Sequence, residues 1–261
     1  MRDVLGIPQA NRHTADRSAT ALLGADPRFT RTTDGRWMLV SAATVSPALA
    51  DCRWAVIDVE TTGVRARRGD RIIEIAVVAP RGTTPGFPEP QVLFHSLVNP
   101  GIPVPPFVGG LTGITGAMLE QAPPFNAIVD DLLDALRGTV FVAHNARFDW
   151  AFVSAEVERA RGLLLQGPRV CTMRLARRLL PDLPRRNLDT VSYHFGITIE
   201  GRHRAVGDAV AAARVLHRLV GMARELGAVT LADLENVRRD ACGAEMHAPT
   251  PHAARSNATR P

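Results

Sequence analysis

The chain has no lysine: its basic side chains, 31 besides the histidines, are all arginine. It has one tyrosine and three tryptophans, and aromatics make up only 5% of it. Cysteines number three, at 52, 171 and 242, too few and too scattered for a disulfide framework or a thiolate metal cluster. Reduced thiols in a cytoplasm are the expectation. No uninterrupted apolar run approaches the ~18 residues of a membrane span. The opening Met1-Arg2-Asp3-Val4 lacks the apolar block of a signal peptide. What is present is a 261-residue chain, 46% hydrophobic, ample for a core. Its formal net charge is +5 and its pI about 10.2. That balance favours polyanionic partners; the competing explanation is a GC-rich genome that writes arginine for lysine throughout.

Residues 1–50 differ in pattern from the rest of the chain. A short helix is expected at 18–23, then two β-prone runs flanking Asp34-Gly35, a hairpin signal. This piece resembles the closing hairpin of a small winged-helix module, with Trp37 packing on the preceding helix. The alternative is an extension that packs on the main domain or stays mobile. Strands are expected at 54–59, 71–79, 91–98 and 139–143, with a Pro/Gly loop at 80–88 and irregular chain at 99–110, where four prolines fall. Helices are expected at 115–121, 125–136, 146–161, 170–180, 187–195, 205–219 and 230–239. Three early strands followed by alternating helix and strand predict an α/β sheet with helices on both faces. Residues 241–261, rich in Ala, Pro, Thr and His without periodicity, read as a disordered tail. The division expected is 1–50, 51–226 and 227–261.

Three segments carry chemistry. Asp58-Val59-Glu60-Thr61-Thr62-Gly63 closes the apolar run Trp54-Ala55-Val56-Ile57. Side chains two apart on a strand share a face, so Asp58 and Glu60 point the same way. Two carboxylates at a buried strand end repel each other and resist desolvation; a divalent cation relieves both. Downstream lie His144-Asn145-Ala146-Arg147-Phe148-Asp149 and His203-Arg204-Ala205-Val206-Gly207-Asp208. Asn145 and Asp149, one helical turn apart, share a face; Asn145 is a candidate N-cap or, as a substrate-side residue, orients the site by hydrogen bonds. Asp208 sits among Val206, Ala209, Val210 and Ala213, where a carboxylate needs a partner. Glu74, inside Ile72-Ile73-Glu74-Ile75-Ala76, is expected to be buried in a hydrogen-bonding role and not as a ligand.

In this order and at these spacings the segments resemble the DEDDh class of 3′→5′ exonucleases, over residues 51–221. That class includes proofreading subunits of bacterial replicative polymerases, ribonuclease T and oligoribonuclease. Thr61-Thr62-Gly63 after Glu60 fits the proofreading branch, that of the DNA polymerase III epsilon subunit. The resemblance implies a ribonuclease H-like mixed sheet with flanking helices, to which the small N-terminal extension is added. It implies two ions, Mg²⁺ or Mn²⁺, held by Asp58, Glu60, Asp149 and Asp208, with His203 as general base. It implies that Thr61 holds the terminal nucleotide and that Leu111 and Ile114 pack on the last base; the alternative for Leu111 and Ile114 is a helix-start turn with two core residues. The implied partners are a single-stranded 3′ end, DNA more readily than RNA, and a DNA polymerase subunit. Rival readings are an RNA-trimming enzyme of the same fold, or a nucleic-acid-binding or polymerase-scaffolding module without catalysis. Arg65, Arg67, Arg68 and Arg71 either meet phosphates or form a solvated loop. With few aromatic rings, base-stacking platforms are expected to be sparse and the strand footprint short. Gln121-Ala122-Pro123-Pro124-Phe125 superficially resembles a sliding-clamp peptide but reads as a link between two helices.

Overall fold

A computed structural model describes residues 17, 20–21, 23–24, 26, 29–31, 37–39, 46–80 and 90–238. Two short strands, β1 (Phe29–Arg31) and β2 (Trp37–Leu39), pair antiparallel with Phe29 opposite Leu39. The Asp34-Gly35 turn, the Trp37 packing expectation, the 81–89 part of the Pro/Gly loop and the tail at 241–261 fall outside the described residues.

The main sheet has five strands: β3 (Trp54–Thr61), β4 (Ile72–Ala79), β5 (Gln91–Leu97), β6 (Val140–Ala143) and β7 (Arg169–Cys171). Their order is β5-β4-β3-β6-β7. The β3–β4 and β4–β5 pairs are antiparallel hairpin neighbours, whereas β6 and β7 join in parallel. Helices follow as α1 (Pro106–Thr112), α2 (Gly116–Glu120), α3 (Phe125–Leu136), α4 (Ala146–Arg161), α5 (Thr172–Leu179), α6 (Leu188–His194), α7 (Ala205–Glu225) and α8 (Leu231–Asn236). This is the ribonuclease H-like mixed sheet with flanking helices.

The strand period sorts the core into two layers. Ala55, Ile57 and Val59 of β3 join Val77, Phe141 and Ala143 under α3 and α4. Val56, with Ala76, Val78 and Val142, lies on the other face, under α5, α6 and α7. β4 is therefore buried on both faces, including Glu74, as an apolar run of eight residues requires when helices cover both sides. Asp58 and Glu60 continue the Val56 side, the side that α7 covers. They stand at the carboxyl end of β3, where open α/β sheets place their sites. A register shift between Glu60 and Thr61 breaks the ladder there, and such irregularities re-aim side chains.

Four elements depart from the sequence expectation, the last of them α8, which ends at Asn236 and not at 239. The 99–110 stretch is not wholly irregular: α1 starts at Pro106 and ends at Gly113, whose φ is +70°. Proline suits a first helical turn and glycine a left-handed cap, so these residues bound a helix where they had suggested a loop. The expected helix at 170–180 begins later, because Arg169–Cys171 form β7. Three residues are too few to show a strand period; pairing with β6 decides them. α7 runs to Glu225, past Leu219, before the chain turns at Gly227 (φ +89°).

Residues 46–49 belong with this unit. Leu49 is 3% exposed and packs in the α7-side core. Its N–H donates to the Val229 carbonyl, and the Leu231 N–H donates to Pro47. Thr230 and Asp233 close a capping box on α8. Leu49, Leu231 and Leu234 share that core.

Candidate functional site

Three elements bring the three motifs together. Asp58 and Glu60 come from β3, Asp208 from the first turn of α7, and Asp149 from the first turn of α4. Both helices thus turn an N-terminus toward the end of β3, and the partial positive charge there favours carboxylates. One oxygen each from Asp58, Glu60 and Asp208 lie within 4.8 Å of one another. Asp149 stands outside that triplet; it is 4% exposed and accepts from the Val59 N–H. Gly207 is required for the approach of α7: a Cβ there would lie 1.9 Å from the Glu200 carbonyl oxygen.

The electrostatics reflect burial without enough countercharge. Burial pushes Asp58 well above the usual carboxylate range, and the charges of Asp149, Asp208 and Glu60 add to it. Burial, with Asp208 and Glu74 nearby, raises Glu60 to about 7. Burial raises Asp149 to about 7 as well, against the pull of backbone N–H donors. Asp208 is also raised by burial, in spite of Arg202 and His203.

Arg202 is the countercharge present. Its Nη1 donates to Asp208 Oδ2, while Nε donates to Asp189 Oδ1 at 2.7 Å. The other Asp208 oxygen, Oδ1, is buried and without a hydrogen-bond partner. An arginine has no acceptor, so His203 Nδ1, 3.2 Å from Arg202 Nη1, accepts there and the neutral ring carries its proton on Nε2. His203 has φ +61°, a left-handed backbone rare for a residue with a side chain. Strain of this kind is held in place by surrounding structure and clusters at functional sites.

Glu74 faces Glu60 directly across β3 and β4. It is 1% exposed and fully bonded: Arg204 grips it with Nε and Nη2, the Ala205 N–H donates at 3.0 Å, and His95 Nε2 lies 2.8 Å away. Burial alone would raise its carboxyl, but those bonds hold it below the ordinary value. It is no member of the acidic triplet.

The remaining sequence candidates divide. Thr61 is half-buried and its hydroxyl donates to the Gly63 carbonyl at 2.5 Å. Leu111 is 54% exposed at the end of α1. Ile114 is 1% exposed, packed with Ile73, Val108 and Leu119, the core placement that was the alternative for it. Asn145 sits at the N-cap position of α4 but makes no capping bond, so its side chain is exposed and unspent. Arg71 is not a phosphate donor in waiting: it pairs with buried Glu156 at 2.7 Å and donates to Pro100. Arg65, Arg67 and Arg68 are exposed. His144 is pushed down to about 4 by burial and is fixed between the Thr172 hydroxyl and the Arg186 carbonyl; it is a neutral structural group. In the clamp-like segment, Phe125 is buried at the start of α3. Arg202 and Asp189 had no prominence in the sequence; the only signal was an arginine on each side of His203.

The donor set fits a divalent cation. All the donors are hard carboxylate oxygens, which suit Mg²⁺ or Mn²⁺. One donor is orphaned and buried, and the raised carboxyls lack the positive charge that would ionise them. A cation would be held by Asp58, Glu60 and Asp208, with Asp149 beside them.

Residues 55–216 match the family model described as Exonuclease. A DNA polymerase III of the PolC type from Caldanaerobacter subterraneus subsp. tengcongensis is 32% identical over 192 residues, 74% of this chain and 13% of that protein. The 3′-5′ exonuclease DinG of Bacillus subtilis is 33% identical over 187 residues, 71% of this chain and 19% of that protein. The chain thus spans less than a quarter of the length of either relative. Among solved structures, exonuclease X in complex with 5′-overhanging duplex DNA aligns with a TM-score of 0.50 and 26% identity, over 64% of this chain and 91% of that one. Among the described residues no helix is long and apolar enough to cross a membrane.

Proposed function

We infer that this chain, which belongs to the exonuclease family, shortens nucleic acid from a 3′ end and releases nucleoside 5′-monophosphates. The observation that carries this reading is the convergence of Asp58, Glu60 and Asp208 oxygens within 4.8 Å at a strand end, with Asp149 beside them. Asp58, Glu60, Asp149 and Asp208 would hold two divalent ions, Mg²⁺ or Mn²⁺, which when bound would supply Lewis acidity for phosphodiester hydrolysis. His203 takes the proton of the attacking water, which requires its ring to leave the contact with Arg202 and free an unprotonated nitrogen. Thr61, next to Glu60, holds the terminal sugar. Leu111 is the exposed apolar side chain that meets the terminal base, and the unspent Asn145 amide contacts the strand beside Asp149.

DNA is the proposed substrate, in proofreading or repair, with a DNA polymerase as a partner. The PolC-type relative and the DNA-bound structural neighbour support that choice. The test is a 5′-labelled oligonucleotide, DNA or RNA, alone and annealed, resolved at single-nucleotide steps with Mg²⁺. A ladder descending from the 3′ end is expected. Duplex should slow it, because unpairing the terminal base costs a few kcal/mol. Cleavage from the 5′ end, or internal cuts in a circular strand, would overturn the assignment. Faster shortening of RNA than of DNA would replace DNA by RNA as the substrate.

A further inference from the structure

A second polar feature lies outside the acidic site. A cleft of about 1240 Å³ opens between α4, β7, α5 and α8. None of Asp58, Glu60, Asp149 or Asp208 lines it. Six arginines do: Arg67, Arg147, Arg169, Arg174, Arg177 and Arg178, against two carboxylates, Glu158 and Glu235. Among the described residues Arg67, Arg147, Arg174 and Arg177 form no ion pair, and all four are exposed. Some arginines elsewhere are spent on carboxylates, Arg71 on Glu156, Arg161 on Asp130 and Arg204 on Glu74; the cleft is set apart by how many of its arginines gather in one place. Like charges gathered around one cleft without ion-pair partners repel each other, and their presence is explained most simply by an anionic ligand.

The cleft also carries one stacking group. The Arg169 guanidinium lies 4.5 Å from the centre of the Trp150 ring, and Trp150 in turn packs edge-on against Phe141 at 5.0 Å. Arg169 is an exposed residue, and a planar guanidinium held in this way is a group on which a base can stack. Arg178 is steadied by the Leu234 carbonyl at 3.0 Å, which ties α8 to the wall. α8 lies beyond the matched residues 55–216, whereas the six arginines lie within them. Asn145 and Arg147 line the cleft within about one helical turn of Asp149 along α4.

We propose that this cleft is a second nucleic-acid-binding surface, which grips the sugar-phosphate backbone of the strand behind the 3′ end that the acidic site takes. The placement of the 3′ end rests on the exonuclease reading; the affinity of the cleft for the strand does not. A strand held at two places is retained between successive cuts, and its affinity rises with length.

The test is binding, measured in chelator so that no hydrolysis occurs. The probe is a fluorescent thymidine oligonucleotide of about twenty residues, longer than the ~4–16 that a single-strand site commonly covers. The full chain carrying Arg174→Glu and Arg177→Glu is compared with wild type and with Arg137→Glu, an exposed arginine outside the cleft. Both cleft positions are exposed, and a thermal melt checks that the fold is kept. The double variant should lose at least about tenfold in affinity, and its salt slope should shrink by about 1.4, the loss of two phosphate contacts to a single strand. The Arg137→Glu control should keep both. Unchanged affinity and slope in the double variant would overturn the proposal. Equal competition by polyglutamate of matched charge would also overturn it, by showing a site for polyanions in general. Wild type that binds the strand through the cleft yet never shortens it would overturn the exonuclease reading and leave the cleft assignment standing.

Discussion

Glu74 and Glu156 are each 1% exposed, as deeply buried as any carboxylates described, and each is answered by arginine. Asp149 and Asp208 are each 4% exposed, yet among the described residues these two, with Asp58 and Glu60, have only Arg202 as an ion-pair partner. Burial acts on both sets; the difference is countercharge. Where guanidinium groups surround the acid, it acts as a tie between elements: Glu74, its carboxyl held low, joins β4 to α7, and Glu156 joins α4 to Arg71. Where acids face one another, burial and mutual charge raise the carboxyls, Glu60 and Asp149 to about 7, and the region is left short of the positive charge that divalent cations bring. The first set holds the fold together, and the second is a cost to the fold that a ligand removes.

The largest effect should separate the two sets by activity. Asp58→Ala, Glu60→Ala, Asp149→Ala and Asp208→Ala should each abolish 3′→5′ shortening, as should a chelator, with recovery on adding Mg²⁺ or Mn²⁺. Full activity in chelator, or in any of the four variants, would break the distinction. Next comes His203→Ala, which should slow turnover by about 10²–10⁴-fold, the range of a lost general base. Metal affinity, read by calorimetry with Mn²⁺, should change little, since the imidazole is not among the ligands. A near-wild-type rate would place the base elsewhere.

Stability should separate the sets in the opposite sense. Glu156→Ala leaves Arg71 and Arg159 without their shared partner and should cost about 2–4 kcal/mol in urea unfolding. A loss below about 0.5 kcal/mol would show that this buried acid is not a tie.

The smallest effect is the most diagnostic. Glu60 has a folded pKa of about 7 against ~4.3 in an unfolded chain, so between those values the folded state holds a proton that the unfolded state has released. Its contribution therefore turns against folding as pH rises from about 4 to about 7. His144, held near 4, works the other way: folding is disfavoured at low pH and recovers as pH rises toward ~6.5. The useful quantity is thus wild type minus Glu60→Gln, in chelator. The variant should gain about 1–3 kcal/mol relative to wild type by pH 8, and saturating Mn²⁺ should reverse its advantage. A difference that stays flat with pH would show that Glu60 is already ionised without metal.

Much of the fold and the site is legible in the residues themselves. Alternation along Trp54–Thr61 puts Asp58 and Glu60 on one face, because a strand has period two. The Phe125–Leu136 and Ala146–Arg161 helices follow their patterns to the residue. Local composition also marks Glu74, alone in an apolar run, as buried and bonded. Ile114 and Asn145 show where such reasoning ends. An apolar side chain beside a turn can face core or solvent with the same sequence, and an Asn before a helix caps it only if its rotamer turns inward.

What the chain determined by itself is whatever depends on near neighbours: the strand and helix periods, the proline and glycine that bound α1, and the spacing within each motif. What only the tertiary structure decided is which groups share a space. The short β7 exists because β6 offers it hydrogen bonds. Leu49 belongs to the core because α8 folds back to it. Arg202 serves Asp208 and Asp189 at once, and Arg204 serves Glu74 from 130 positions away. The physical reason is that burial and charge pairing are sums over everything nearby in space, and a sequence specifies only what is nearby along the chain.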